Sequence, residues 1–346
     1  MVVKAAVLGA TGTVGQRFLQ LLTENPWFEI RVITASEKSV GKKYSEATRW
    51  MLGDDMPESI SDLEVQPTDP NSVGDVDVVF SALPAEAAGR VEEDFAKAGY
   101  MVVSNASSHR MDLDVPLLNP EVNAEHVHLI DEQRHKRKWD GAIVTNPNCT
   151  TTILTLSLKP VLDRFGLSRV LVSSMQALSG AGYPGVPSLD VVNNVIPFIQ
   201  REEEKVQLET LKILGSIEDP APIKVSASCH RVCTLDGHTE AVFMETKKET
   251  DPLEVKEAMD KFRGEPQRLR LPTAPERPII LRNEEDRPQP RLDRMAGRGM
   301  AVVVGRIRRD PALGGIKYIV LGHNTIRGAA GCAVLNAELL KARGYI

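Results

Sequence analysis

Apolar residues fall into two arrangements along this chain. Through about the first 150 positions they form short unbroken runs: Val2–Leu8, Phe28–Thr34, Val76–Ser81, Met101–Ser104 and Ala142–Val144. Such runs predict strands buried on both faces, as in a parallel sheet. Between them, Val14, Phe18, Leu21 and Leu22 recur at helical spacing, and Glu92–Ala98 reads as a second helix. Strands alternating with helices predict a parallel sheet with helices packed on it. The charged stretch Val127–Trp139 mixes both signs and predicts a solvated helical face. Beyond position 150 the order changes. A helix is predicted over Thr150–Leu162, a strand over Arg169–Ala177, a helix over Gln200–Leu214, and strands over Lys224–Leu235 and His238–Lys247. Asp236-Gly237 between the last two is a turn signal and predicts a hairpin. Pro252–Phe262 reads as a surface helix, and Met300–Arg308 and Ile316–Gly322 as strands. The Pro- and Arg-rich stretch Leu269–Arg294 predicts an extended excursion that could cover a partner subunit. The final segment, opening at His323, predicts a helix that returns to the first domain.

The expected fold is therefore α/β. A parallel-sheet domain of the Rossmann type spans 1–148, an α+β catalytic and dimerisation domain spans 149–323, and a helix over 324–346 packs back on the first. Composition narrows the function. The 346 residues suit two domains, and 42% hydrophobic content supplies their cores. A net charge of −5 argues against nucleic acid as the main partner. No apolar run approaches a membrane span, and the chain passes from Met1 into a strand pattern without a signal-peptide region. The 4 cysteines form no paired framework, which fits a reducing compartment. A cytoplasmic protein is expected.

The first strand breaks into Gly9-Ala10-Thr11-Gly12-Thr13-Val14-Gly15 before the first helix. Glycines there let backbone approach a pyrophosphate, and the helix end attracts it. Gly9, Thr11, Gly12, Thr13 and Val14 are thus candidate cofactor residues. The second strand ends in Ala35-Ser36 without the acid that usually holds a ribose 2′-hydroxyl, although Glu37 follows. Ser36 and Lys38, with Lys42 and Lys43, are placed to receive a 2′-phosphate, which favours NADP; a solvated loop explains the lysines equally. Ser81 ends another strand and joins the cofactor candidates. Arg110 follows the Met101–Ser104 strand, where a guanidinium could hold phosphate or carboxylate or form a surface ion pair.

The stretch Thr145–Thr151 holds the chemistry. Cys149 stands where a strand meets a helix, at the helix end that favours an anion, so its thiol is expected to ionise readily. Buried packing is the ordinary fate of a free cysteine; the Asn146-Pro147-Asn148 lead-in favours the nucleophile. Ser179-Gly180-Ala181-Gly182 is permissive backbone suited to a ligand. Gln176 could bond a carbonyl or the loop itself. Glu202 and Lys205 share a helix face, although acids in a first turn need no ligand to explain them. Cys229, His230, Cys233 and His238 suggest a metal. On one extended strand, however, the two cysteines would lie roughly 13 Å apart, and zinc is rejected. Arg231 and His238 instead stand across the turn, where His238 could act as base to the cysteine.

Taken together, these motifs resemble the aspartate-semialdehyde dehydrogenase family, in its archaeal and fungal branch. The likeness runs nearly end to end and includes the glycine turn, Ser104–Ser107, Asn146–Cys149, Gln176 with Ser179–Gly182, Glu202–Lys205, Arg231 with His238, and Asn324–Gly331. It implies that Cys149 attacks L-aspartate-4-semialdehyde, His238 takes and returns a proton, hydride passes to NADP, and phosphate releases 4-phospho-L-aspartate. In the cell the reaction would run in reverse, towards threonine, methionine and lysine. Arg231 would clamp the substrate carboxylate, Glu202 its ammonium, and Arg110 with Lys205 the phosphate. Asn148 belongs to the same substrate set. Gln176 would orient the acyl group, and Ser179, Gly180 and Asn324 would lie on the nicotinamide side. A homodimer or homotetramer is implied. A related branch reduces malonyl-CoA, which has no ammonium for Glu202 to meet. A redox-sensing NADP-binding regulator is the alternative of another kind.

Overall fold

The computed structural model describes residues 2–346; Met1, the first residue of the expected cofactor domain, lies outside them. The first sheet comprises β1 (Val3–Leu8), β2 (Phe28–Thr34), β3 (Val65–Gln66), β4 (Val78–Ser81), β5 (Met101–Ser104) and β6 (Ala142–Thr145). All pair in parallel, in the order β3-β2-β1-β4-β5-β6. That is the doubly wound dinucleotide-binding order, with its crevice at the reversal between β1 and β4. β4, β5 and β6 are buried at every residue, so no polar alternation interrupts them. Helix α1 (Thr13–Thr23) buries Phe18, Leu19 and Leu22, and Phe18 meets Phe80 at 5.3 Å between ring centroids. Helix α2 (Ala85–Lys97) begins earlier than its apolar pattern predicts. Its opening alanines favour a helix while adding little to an apolar count. Helix α3 (Leu129–Arg137) is less solvated than its charges predict. Gln133 is buried and bonds both backbone groups of Ile143, and Arg137 reaches Asp114 at 2.6 and 2.7 Å.

The second half begins with α4 (Cys149–Phe165). It continues through β7 (Leu167–Gln176), α5 (Glu202–Leu214), β8 (Lys224–Arg231), β9 (His238–Thr246), α6 (Pro252–Lys261), β10 (Ile279–Arg282), β11 (Val302–Arg309) and β12 (Ile316–Gly322). The sheet order is β10-β11-β12-β9-β7-β8. One face is buried: His238, Glu240, Val242 and Met244 alternate with half-exposed neighbours along β9. Two expectations fail here. Asp236-Gly237 closes no hairpin, because β8 pairs in parallel with β7, and β9 lies antiparallel on β7's other side. The helical crossover through α5 is what returns β8 parallel to β7. Gly237 does turn the chain, at φ +101°, but the turn carries it past the end of β7. The Pro- and Arg-rich stretch is no free excursion either. Its β10, extended as expected, adds an edge strand beside β11, and Pro290–Asp293 forms a short helix.

After β12 the chain makes a wide turn, with Gly328 N–H on His323 O (3.0 Å) and Ala330 N–H on Thr325 O (3.3 Å). Helix α7 (Gly331–Ala342) follows, later than the sequence predicts, because Ala329 adopts φ −146° and ψ −106°. Ile326, Ala330, Ala333, Val334 and Leu335 join the core that contains β1 and α1. No helix among the described residues is long and apolar enough to cross a membrane.

Candidate active site

Cys149 is the first residue of α4, and Asn148 caps that helix. Asn148 Oδ1 accepts from the Thr150 and Thr151 N–H groups at 2.9 and 3.2 Å. Asn148 Nδ2 donates to Glu202 Oε1 at 2.8 Å, and its N–H donates to Glu209 Oε2 at 2.6 Å. Two acids seven positions apart share one face of α5. Together they grip the residue before the cysteine. Glu209 also accepts from Arg110 Nη1 at 2.9 Å, so one carboxylate joins the loop after β5 to the start of α4. The sequence reading passed over Glu209, although its spacing from Glu202 was a usable signal.

Beneath Cys149 the strand ends of the second sheet line up. Gln176 pairs with Arg231, Met175 with Thr239, and Gly322 with His238. His238, Gln176 and Arg231 therefore form one row on the buried face. His238 Nε2 lies 3.1 Å from Cys149 Sγ, and its Nδ1 accepts the Ala177 N–H at 3.1 Å. A ring nitrogen that accepts from an amide carries no proton. The neutral imidazole must then carry its proton on Nε2, pointed at sulfur. Arg231 Nη1 donates to Ala177 O at 2.7 Å, so the backbone of Ala177 holds both side chains. Gly180 covers the pair: a Cβ there would lie 2.9 Å from Arg231 Nη1 and 3.1 Å from His238 Cε1.

Burial, then the charges of Arg231 and His323, pushes the His238 imidazolium down to about 3. Burial, then Glu202, pushes the Cys149 thiol up to about 12; Arg231, Arg110 and the Thr150 N–H pull it back. Cys149 keeps some surface open to the cleft, yet the atoms around it are those of the interior. The expected ease of ionisation at a helix end is thus overturned in the free protein, because desolvation outweighs the dipole. The pair rests as a neutral thiol against a neutral imidazole. His238 faces sulfur as a hydrogen-bond donor rather than as the vacant base the sequence suggested.

The cleft over Cys149 has a volume of 650 Å³, and its walls carry Arg110, Asn148, Glu202, Lys205, Arg231 and Asn324. Val14, Ser179 and Gly180 also line it. Gln176 and His238 lie behind the wall, and Gln176 Nε2 donates to Ser174 Oγ at 3.2 Å. Asn324 accepts the Gly237 N–H and donates to Ser179 Oγ, both at 2.8 Å, which fixes two loops around the cleft.

A second groove, of 640 Å³, runs over Gly9, Thr11, Gly12 and Ser36, and meets the first at Leu83. Gly9 has φ +71°, and a Cβ there would lie 2.8 Å from Ala82 O; Gly12 has nothing closer than 3.5 Å. Thr13 opens α1, whose first N–H groups face this turn. The groove therefore suits a pyrophosphate at a bare helix end. Lys38 is exposed next to the groove residue Ser36, whereas Lys43 is committed to Asp62 at 2.8 Å. Ser81 does not reach the groove with its side chain: it is fully buried, and its Oγ donates to Glu92 Oε1 at 2.6 Å. Ser104 Oγ donates to the same oxygen at 2.6 Å, so Glu92 ties the ends of β4 and β5.

A cysteine facing a histidine donor, in a cleft continuous with a dinucleotide groove, defines a dehydrogenase that works through a thiol. Two family descriptions match the chain: "Semialdehyde dehydrogenase, NAD binding domain" over residues 4–130, and "Semialdehyde dehydrogenase, dimerisation domain" over 158–327. It is 56% identical to aspartate-semialdehyde dehydrogenase of Methanothermobacter thermautotrophicus, over 98% of this chain and 99% of that one. The crystal structure of the Candida albicans enzyme with NADP superposes with a TM-score of 0.92 at 41% identity, covering 100% of both chains. The chain is also 46% identical to a malonyl-CoA reductase (NADP) of Metallosphaera sedula, over 99% of this chain and 98% of that one. The chain belongs to the aspartate-semialdehyde dehydrogenase family.

Proposed function

We propose that the cleft interconverts 4-phospho-L-aspartate and L-aspartate-4-semialdehyde, with NADP as the redox cofactor and a thioester on Cys149. The observation that carries this reading is the 3.1 Å approach of Cys149 Sγ to His238 Nε2 in a cleft walled by the opposite charges of Arg231 and Glu202. Arg231 supplies a cation for the α-carboxylate, Glu202 an anion for the ammonium, and Arg110 with Lys205 the cations for phosphate. In the reductive direction Cys149 Sγ attacks the acyl phosphate. The carbon–oxygen bond breaks, and the thiol proton leaves with phosphate as hydrogenphosphate. The Cys149 N–H, which the Asn148 side chain does not take, steadies the acyl oxygen, and Gln176 orients the acyl group from behind the wall. Bound NADPH supplies the hydride. His238 Nε2–H holds the leaving sulfur by a hydrogen bond while the sulfur takes its proton from solvent, which restores the neutral pair. Ser36 and Lys38 at the end of β2 favour the 2′-phosphate of NADP. The half-exposed face of the second sheet, with Leu171, Ala241, Phe243 and Ile319, suits pairing with a second copy of the chain, as a homodimer or within a homotetramer.

The test is a Cys149→Ala variant beside a Glu202→Gln variant. Cys149→Ala should lose phosphate-dependent NADPH formation from the semialdehyde while binding NADPH normally. A wild type without turnover would support a redox-sensing regulator instead. Glu202→Gln should raise KM for the aspartyl substrate. Equal wild-type turnover of malonyl-CoA, with no effect of Glu202→Gln, would favour the acyl-CoA reading.

A further inference from the structure

One buried acid has no place in this chemistry. Glu240 lies on β9 two residues beyond His238, on the same buried face, and is 0% exposed. Neither carboxyl oxygen has a hydrogen-bond partner. The register gives its surroundings. Glu240 pairs with Ser174 on β7 and Val320 on β12, and Ser174 pairs with Cys229 on β8. These four residues make a second row directly beneath His238, Gln176 and Arg231. The row below that is Tyr318, Val242, Val172 and Ala227, almost wholly apolar. The two upper rows are joined by Gln176 Nε2 on Ser174 Oγ at 3.2 Å. Ser174 also lies beside the Cys229 side chain. Tyr318, in the row below, donates its hydroxyl to Ser157 Oγ at 2.8 Å and makes no bond to Glu240.

Burial alone pushes the Glu240 carboxyl well above its ordinary range, so the group is a neutral acid. A neutral acid still needs one acceptor and one donor, and the protein provides neither. A leucine here would pack against Val320 and Val242 at no polar cost. An unpaired acid at such a position costs stability rather than adding it. Opposed residues on one sheet face have Cβ atoms about 5 Å apart, so Glu240 and Ser174 are close enough to share one bridging water. Buried water typically takes about three polar partners.

We propose that Glu240 is a positioning residue: with Ser174 it holds an internal water beneath the His238–Gln176–Arg231 row, and through Ser174 it fixes the amide of Gln176. The proposal rests on the reading of the cleft as a dehydrogenase site, and its test separates the two. If the wild-type chain shows no turnover, that reading fails; the proposal is judged by variants of an active wild type and by a crystal structure. Glu240→Leu should keep its KM for NADPH and lose about tenfold or more in kcat, as a displaced orienting group would cause. Glu240→Gln, which bonds without charge, should recover to within about threefold of wild type. Ser174→Ala should reproduce the loss, and it carries the test if Glu240→Leu does not fold. A crystal structure should show one ordered water within hydrogen-bond reach of Glu240 and Ser174. Wild-type kcat in both Glu240→Leu and Ser174→Ala overturns the proposal. So does a Glu240→Gln variant as slow as Glu240→Leu, or a dry carboxyl in the crystal.

Discussion

Gly328 sets the position of the nucleophile by having no side chain. It lies in the wide turn before α7, and a Cβ there would come 2.6 Å from Cys149 Cβ and 2.9 Å from Cys149 Cα. Ordinary contact begins near 3.4 Å, so Gly328→Ala must separate the two by about 0.8 Å. The neighbour is not the free end of a flexible chain. It is the first residue of α4, held by the Asn148 cap, Glu202 and Glu209. The strain is therefore shared between the turn and the helix start, at about 1–3 kcal/mol of overpacking. A sulfur misplaced by about 1 Å loses its line to the acyl carbon, and misplacement of that size can cost about 100-fold. The assay is kcat/KM for phosphate-dependent NADPH formation, read beside NADPH affinity and thermal unfolding. We expect kcat/KM to fall about 100-fold, NADPH affinity to hold because the groove over Gly9 and Ser36 is remote from Gly328, and the melting temperature to drop modestly. A folded variant within about threefold of wild-type kcat/KM would refute the claim that this contact places the sulfur.

Arg327, in the same turn, is fully buried and bonds Glu121 at 2.8 and 2.7 Å and Asn119 at 2.5 Å. Arg327→Ala should cost about 3–5 kcal/mol in urea unfolding by stranding Glu121, and an Arg327→Met/Glu121→Leu pair should recover most of it. The Asp114 carboxyl is held below its ordinary range chiefly by its hydrogen bonds to Arg137. A depressed carboxylate contributes stability above its unfolded value of about 3.9, and that stability is lost as pH falls through the lower folded value. Wild type should therefore exceed Arg137→Ala by about 2 kcal/mol at neutral pH. The gap should close progressively in urea titrations below about pH 4; an equal gap at both ends would count against the pair.

What the sequence disclosed, and what it withheld, divides along a physical line. Parallel strands buried on both faces announce themselves as apolar runs, and β2, β5 and β12 begin and end where the pattern predicts. The glycine turn and Cys149 were legible because each sits where a strand meets a helix, a junction that local residues define by themselves. The hairpin failed because Asp236-Gly237 encodes a reversal but not a neighbour. Which strand β9 pairs with was decided by the crossover through α5. Ser81 was misplaced for a related reason: the end of a strand is local information, whereas the direction of its hydroxyl depends on Glu92, eleven positions away on a helix. The thiol expectation failed on magnitude. A helix end favours the anion by about 0.3–1 kcal/mol when exposed, and desolvation in a closed site can shift a group by several pKa units. The tautomer of His238 lies furthest from the sequence. It is fixed by one backbone amide, that of Ala177, whose side chain carries no chemical signal. A backbone donor of this kind comes into view only once β7 is seen to end opposite the start of β9. The reading of His238 as a hydrogen-bond donor to sulfur therefore depends on strand register, and no motif contains it.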